Sequence, residues 1–201
     1  MKLWLATTNN SKIREIKSLL EHLKIEIHTC GELSYYSAPN EIGKTFEENA
    51  RIKAKSLHSV VPQDWVLAED SGLEVECLGN LPGVHSARYA GPKASDAENT
   101  SKLIKMISLK LAENRKARFA CCMILLSPTS KESVFMGHLS GEITKALRGT
   151  QGFGYDQVFQ PLGETKTMAE MDLAQKNRIS HRAKAISELK EFFKNFIEQS
   201  T

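Results

Sequence analysis

The sequence predicts an α/β fold in which a mixed central sheet is flanked by helices. Three observations carry this: apolar residues recur at helical spacing in four segments, short apolar or alternating runs mark strands between them, and the two kinds do not alternate strictly. Strict alternation would favour a doubly wound parallel sheet, so its absence favours the mixed one. A chain of 201 residues is long enough for one domain, residues 1–201, that buries roughly 70% of the surface exposed when unfolded.

Lys2 to Thr7 reads as a buried strand, followed by a polar turn to Ser11 and a helix with Ile13, Ile16, Leu20 and Leu23 on one face. Residues 25–29 alternate as a short strand, and a loop rich in Ser, Tyr, Pro and Gly runs on to Lys44. Thr45-Phe46-Glu47-Glu48 matches a capping box, in which hydroxyl and carboxylate satisfy backbone donors at a helix start. That helix places Phe46, Ala50, Ala54, Leu57 and Val61 on one side and is expected to run to Pro62, with Glu41, Asn49 and Lys53 around its entrance. Trp65 to Ala68 reads as a strand that breaks at Glu69-Asp70-Ser71-Gly72, with extended structure resuming from Leu73 to Cys77 before a turn at Gly79 to Gly83.

Ser95-Asp96-Ala97-Glu98 is a second capping box, opening a helix with Leu103, Ile107 and Leu111 as its buried stripe. Ala117 to Ser127 and Glu132 to Ser140 read as long neighbouring strands joined by the turn Pro128 to Lys131. Residues 149–156 form the most glycine-dense loop. Ser180 is expected to cap a last helix with Ile186, Leu189, Phe193 and Phe196 inward and Lys184, Lys190 and Lys194 in solvent.

Composition narrows the function classes. The chain is 41% hydrophobic and 25% charged, ordinary for a globular protein, with no repeat or low-complexity segment. Cys30, Cys77, Cys121 and Cys122 form no C-x-x-C pair and no zinc spacing, so reduced, buried thiols are expected. The apolar run Met1 to Ala6 is too short for a signal peptide or a membrane span, which sets the expectation of a cytoplasmic protein with no membrane partner. A net charge of +3 without a dense basic stripe argues against a nucleic-acid partner and for a phosphorylated small molecule.

Five places could carry chemistry. Thr7-Thr8-Asn9-Asn10-Ser11-Lys12 brings backbone N–H groups, hydroxyls and a lysine to a helix N-terminus, a natural phosphate site, although the spacing excludes a P-loop. Its plain structural reading is an N-cap. Glu69 and Asp70 offer hard oxygen ligands for magnesium or a base for water, and are equally the acids of an Asx-type turn. Glu41 and Lys53 lie across the first capping box. The glycine loop would let Phe153 or Tyr155 stack on a nucleobase while Asp156 hydrogen-bonds its edge, or else close a hairpin. Lys176 to Arg182 is a cationic helix start, disfavoured by the helix dipole unless an anion or base acceptor offsets it.

Taken in order, Leu5 to Lys12, Thr45 to Ala50, Glu69-Asp70-Ser71-Gly72-Leu73, Leu81 to Tyr89, Gly152-Phe153-Gly154-Tyr155-Asp156 and Ile179-Ser180-His181-Arg182 strongly resemble the inosine triphosphate pyrophosphatase family, the non-canonical purine NTP pyrophosphatases. The likeness spans almost the whole chain. It implies an elongated mixed sheet, two lobes with an active-site cleft between them, a homodimer, and magnesium-dependent hydrolysis of ITP, dITP or XTP to the monophosphate and pyrophosphate. Residue by residue, it implies that Thr7, Thr8, Asn9, Asn10, Ser11, Lys12 and Lys53 hold the triphosphate and that Asp70 is the catalytic proton acceptor. It also implies that Glu41 with Glu69 or Asp70 holds the metal, that Ser71 touches substrate, and that Phe153, Gly154, Tyr155, Asp156, Lys176, His181 and Arg182 serve the base and a nearby phosphate.

Two positions depart from the frequent pattern: Glu69 stands where Asp is common, and Gln151 where Gly is, which would stiffen the loop before Phe153. The alternatives are a nucleotide-binding module that does not cleave its ligand, and a house-cleaning pyrophosphatase for other modified nucleotides.

Overall fold

The computed structural model describes residues 1–110 and 113–199, with side chains through residue 198; Leu111, expected on the third helix stripe, lies outside the described residues. The elements run β1 (Lys2–Leu5), α1 (Asn10–Leu20), β2 (Glu26–Thr29), α2 (Phe46–His58), β3 (Trp65–Val75), β4 (Leu81–Pro82), α3 (Asp96–Leu109), β5 (Lys116–Leu126), β6 (Glu132–Ile143), β7 (Phe159–Pro161), α4 (Leu173–Ile179) and α5 (His181–Gln199). Short 3₁₀ turns occupy Cys30–Glu32, Glu76–Leu78, Gly83–Arg88 and Met168–Glu170.

The expected mixed sheet is present. Its order is β2-β1-β3-β5-β6-β7, with β4 beside β3. β1 pairs parallel with both β2 and β3, whereas β3 with β4 and β6 with β7 are antiparallel. Both capping boxes form: Thr45 and Glu48 close the start of α2, Ser95 and Glu98 that of α3. A third box, Asp172 with Gln175, opens α4, a helix too short to leave an apolar period in the sequence.

The chain falls into two compact units. One comprises residues 1–70, 121–137 and 182–201, the other 71–120 and 138–181, so the divisions fall within β3, β5 and β6 and after the first residue of α5. In the first unit α1, β1, β3, β5 and α5 share a core of Leu3, Leu5, Ile16, Leu20, Leu67, Met123, Ile186, Leu189 and Phe193. Trp65 lies edge-on to Phe193 and Phe196, 5.4 and 5.1 Å between centroids. In the second unit Leu73, Val75, Leu103, Ile107, Phe119, Tyr155, Val158 and Phe159 form a separate core.

Several boundaries differ from expectation. β3 does not break at Glu69 and Asp70 but continues for eleven residues. Strands disfavour acids for want of partners, and here cations from neighbouring helices supply them, so no turn is needed. α2 ends at His58, short of Pro62, and Val61 is half-buried beyond it. Phe196 is 40% exposed although its ring meets both Trp65 and Phe192, and Lys190 is half-buried. Ser180 is the extended residue joining α4 to α5.

One helix tests this packing. Leu103 is fully buried and Leu109 is 67% exposed on the same α3. Leu103→Ala is expected to cost about 2–5 kcal/mol, and Leu109→Ala no more than ~0.5 kcal/mol, measured as the shift in urea unfolding midpoint. Equal losses would refute the assigned face.

Candidate active site

Glu69 and Asp70 are consecutive on β3, so they point to opposite faces of the sheet. Each meets its own set of cations. Trp65 and Leu67 share the parity of Glu69 and pack with α1 and α5, and those two helices supply its partners. Arg182, from the first turn of α5, grips Glu69 with two parallel bonds of 2.6 Å, and Lys12 of α1 reaches the same carboxylate at 3.0 Å. Arg182 also pairs closely with Glu15 of α1. Arg182 is 1% exposed and Glu69 3%. Burial works against the guanidinium charge, but the carboxylates outweigh it and hold the pKa well above the ordinary arginine value.

The anion that offsets Arg182 near the α5 N-terminus is the chain's own Glu69 and Glu15.

On the opposite face, α2 brings Lys53 to Asp70 Oδ1 at 3.0 Å and to Glu41 Oε1 at 2.8 Å. Asn49, wholly buried one helical turn earlier, places Nδ2 3.4 Å from Asp70 Oδ2 and accepts from the Gly43 amide at 2.8 Å. Burial opposes the Lys53 charge, yet Asp70 and Glu41 keep its pKa raised. For Asp70, burial is the largest influence and lifts the pKa above the usual carboxylate range despite Lys53 and Lys12, with Glu41 adding to the rise. The result is a buried carboxylate–ammonium pair, with Glu41 as the second acid on the same lysine.

At the head of α1, Asn9 is the N-cap, its Oδ1 accepting from the Ser11 and Lys12 amides at 3.0 and 3.1 Å. Thr7 Oγ1 accepts from the Asn9 amide at 3.2 Å. Thr8, Asn9 and Asn10 are exposed, Thr7, Ser11 and Lys12 half-buried. The N-cap reading thus holds for Asn9, while the exposed polar groups around it stay accessible to a ligand.

Within the second unit, the glycine loop closes on Asp156. Its Oδ2 accepts from the Phe153 amide at 3.0 Å and from Lys176 at 2.7 Å, and the Lys176 ammonium lies 5.3 Å from the Phe153 ring centroid. Gly152 has φ of 79°, and a Cβ there would collide with the Asp156 carboxylate, so glycine is required. Gln151 is exposed and uses its backbone to donate to Ala169, so its side chain does not crowd the loop. Asp96 accepts from the Gly154 amide at 2.6 Å.

Of the two aromatics expected to stack on a base, Tyr155 is 3% exposed in the core and donates to Ser86 O at 2.8 Å. Phe153 is half-buried. His181 stacks on Phe119, 4.8 Å between centroids and 15° between planes. Ser71 follows Asp70 on β3 and is half-buried.

Sequence reasoning missed Glu15 and Asp96. The first left a weak signal: Glu15 stands one turn before Leu19, beside the Ile13-Ile16-Leu20 stripe, where an acid that is buried needs a cation. Asp96 left none, since only tertiary structure carries the glycine loop to it.

Among the described residues, no group of three or more His, Cys, Asp or Glu side chains gathers as a metal cage, and no helix is long and apolar enough to cross a membrane. Residues 3–192 match the model of the Ham1 family. A dITP/XTP pyrophosphatase of Bdellovibrio bacteriovorus is 50% identical over 187 residues, 92% of this chain and 94% of that protein. One from Caldanaerobacter subterraneus is 42% identical over the full length of both. The solved Ham1 protein of Coxiella burnetii superposes with a TM-score of 0.89 at 36% identity, covering 97% of this chain and 99% of that one. Sequence and fold agree on one conclusion: the chain belongs to the Ham1 family.

Proposed function

We propose that the protein hydrolyses non-canonical purine nucleoside triphosphates, ITP, dITP and XTP, to the monophosphate and pyrophosphate, and so clears them from the nucleotide pool. The reading rests above all on one observation: Lys53 bridges Asp70 and Glu41 while the neighbouring Glu69 is tied to Lys12 and Arg182. Acids and lysines are thereby fixed together, as phosphoryl chemistry demands of a site that works by positioning and charge neutralisation. The names of the relatives support the same activity.

The donor set suits a divalent metal. Magnesium takes one or two carboxylates and completes its shell with phosphate oxygens and water, and Asp70 and Glu41, joined through Lys53, offer such a pair. Asp70 and Glu41 would hold it, and Glu69, held by Arg182 and Lys12, would brace the strand beside them. Bound there, the ion would neutralise phosphate charge and acidify a water.

Asp70 accepts the proton of the water that attacks the α-phosphorus. Thr7, Thr8, Asn9, Asn10, Ser11, Lys12 and Lys53 hold the triphosphate, and Ser71 contacts the substrate. Phe153, Gly154, Asp156 and Lys176 serve the base and a nearby phosphate, with Tyr155 anchoring their loop. Donors at His181 and the adjoining backbone of α5, whose first turn Arg182 fixes, pair with the 6-oxo group. The protein acts in the cytoplasm as a homodimer, which light scattering of the purified chain tests.

Three outcomes check the reading. Asp70→Asn is expected to lower ITP turnover on the order of a hundredfold or more; near-normal turnover removes Asp70 from the mechanism. Across a panel of triphosphates, ITP and XTP should exceed ATP by roughly ten- to a hundredfold, because an adenine amino group would leave buried donors unpaired at about 1–3 kcal/mol each. Chelation should abolish pyrophosphate release and magnesium restore it, with monophosphate and not diphosphate as the other product.

A further inference from the structure

His28, on β2, makes a contact that the proposed chemistry does not use. Its Nδ1 lies 2.8 Å from Glu32 Oε2 and its Nε2 2.9 Å from Glu26 Oε1. Ionised carboxylates only accept hydrogen bonds, so the ring can serve both of them as donor only in its charged, imidazolium form. Trp4, its register partner on β1, stacks on the ring at 4.7 Å and 25°, and Trp4 Nε1 is itself fixed by Asp64 at 2.9 Å. Hydrogen bonding to Glu32 is the largest influence on His28 and raises its pKa, against partial burial and with help from Glu26. The charged groups around the ring are thus Glu26 and Glu32 from its own strand and the following turn, Asp64 behind Trp4, and Lys2, the β1 residue opposite Glu26.

Glu32 has a second task. Its Oε1 accepts from the Thr29 amide at 2.8 Å and the Thr29 hydroxyl at 3.1 Å, closing the 3₁₀ turn Cys30–Glu32. That turn backs onto the start of the phosphate segment: Leu5 pairs with Thr29, Cys30 is hydrogen-bonded to the Thr7 backbone, and a Cβ at Gly31 would lie 3.9 Å from the Thr8 side chain. Glu26, by contrast, bonds His28 from outside the turn.

We infer that Glu32, clamped by the imidazolium of His28, is a positioning residue that holds the Cys30–Glu32 turn against Thr7 and Thr8 and so presets the segment that receives the triphosphate. This rests on the reading that residues 7–12 bind that group. The clamp is complete below the ordinary histidine pKa and weakens as pH rises through the raised value, because the neutral ring loses its charge and can donate to only one of the two carboxylates. An exposed pair of this kind is modest in strength, so its effect belongs on binding and not on the chemical step.

The test compares Glu32→Gln, Glu26→Gln and Lys12→Ala with the parent enzyme, using ITP and magnesium at pH 7. Glu32→Gln should raise KM three- to tenfold with kcat within twofold, lower the His28 pKa in an NMR titration, and shift the Thr7 and Thr8 amide resonances of the ligand-free protein. Glu26→Gln should lower the His28 pKa but leave KM and those two amides unchanged. Unmoved Thr7 and Thr8 amides in Glu32→Gln, or an equal KM rise in Glu26→Gln, would overturn the inference. Lys12→Ala separates the two readings: if it too leaves KM and kcat unchanged, the phosphate assignment fails, whereas a strong effect there with none in Glu32→Gln sinks only the positioning role. The amide shifts decide the matter even if Glu32→Gln loses stability, provided its spectrum stays folded.

Discussion

Two adjacent carboxylates in the middle of a strand are the constraint around which the first unit is arranged. Glu69 and Asp70 cannot both be buried unless each finds a cation, because an unpaired buried charge costs far more than a strand residue can contribute. The alternation of the strand sends them to opposite faces, so the partners must come from different helices: Arg182 and Lys12 from α5 and α1, Lys53 from α2. Three helices are thereby tied to one strand at consecutive positions. Removing one member of such a pair leaves its partner charged and buried, and for that reason the bridges specify a single arrangement even where their net contribution to stability is small.

The two faces differ in what they leave for chemistry. On the Glu69 side the guanidinium takes both carboxylate oxygens, and Glu15 closes the far side of Arg182, giving a rigid brace. On the Asp70 side a single lysine is shared by two acids, and burial lifts the Asp70 pKa even with that lysine present. A shared cation can turn from one acid to the other, whereas a bidentate clamp cannot open without leaving a bare charge. The glycine loop follows the same economy: Asp156 organises its backbone through the Phe153 amide and Lys176, leaving the Phe153 ring at the edge and Tyr155 as the anchor.

Much of this was legible in the residues. The capping boxes at Thr45 and Ser95 placed two helix starts correctly, because that device is entirely local. The stripes through Ile16 and Leu20, Ala50 and Ala54, and Ile186 and Leu189 gave the buried faces, since burial follows helical period wherever one side meets a core. The apparent break at Glu69-Asp70 misled, because a pair of acids followed by Ser-Gly has the local chemistry of a turn and nothing nearby in sequence reveals that Arg182 will be its partner, 113 positions away.

By itself, the sequence determined the class of fold, the helix starts and most of the core, since propensity and period are properties of short segments. Only the tertiary structure decided how those groups are paired: that β3 continues through its acids, that Arg182 is satisfied internally by Glu69 and Glu15, that Lys53 is shared, and that Tyr155 belongs to the core. The reason is physical. Whether a charge is buried, and against what, depends on elements distant in the chain arriving at one place, and no local pattern encodes that arrival.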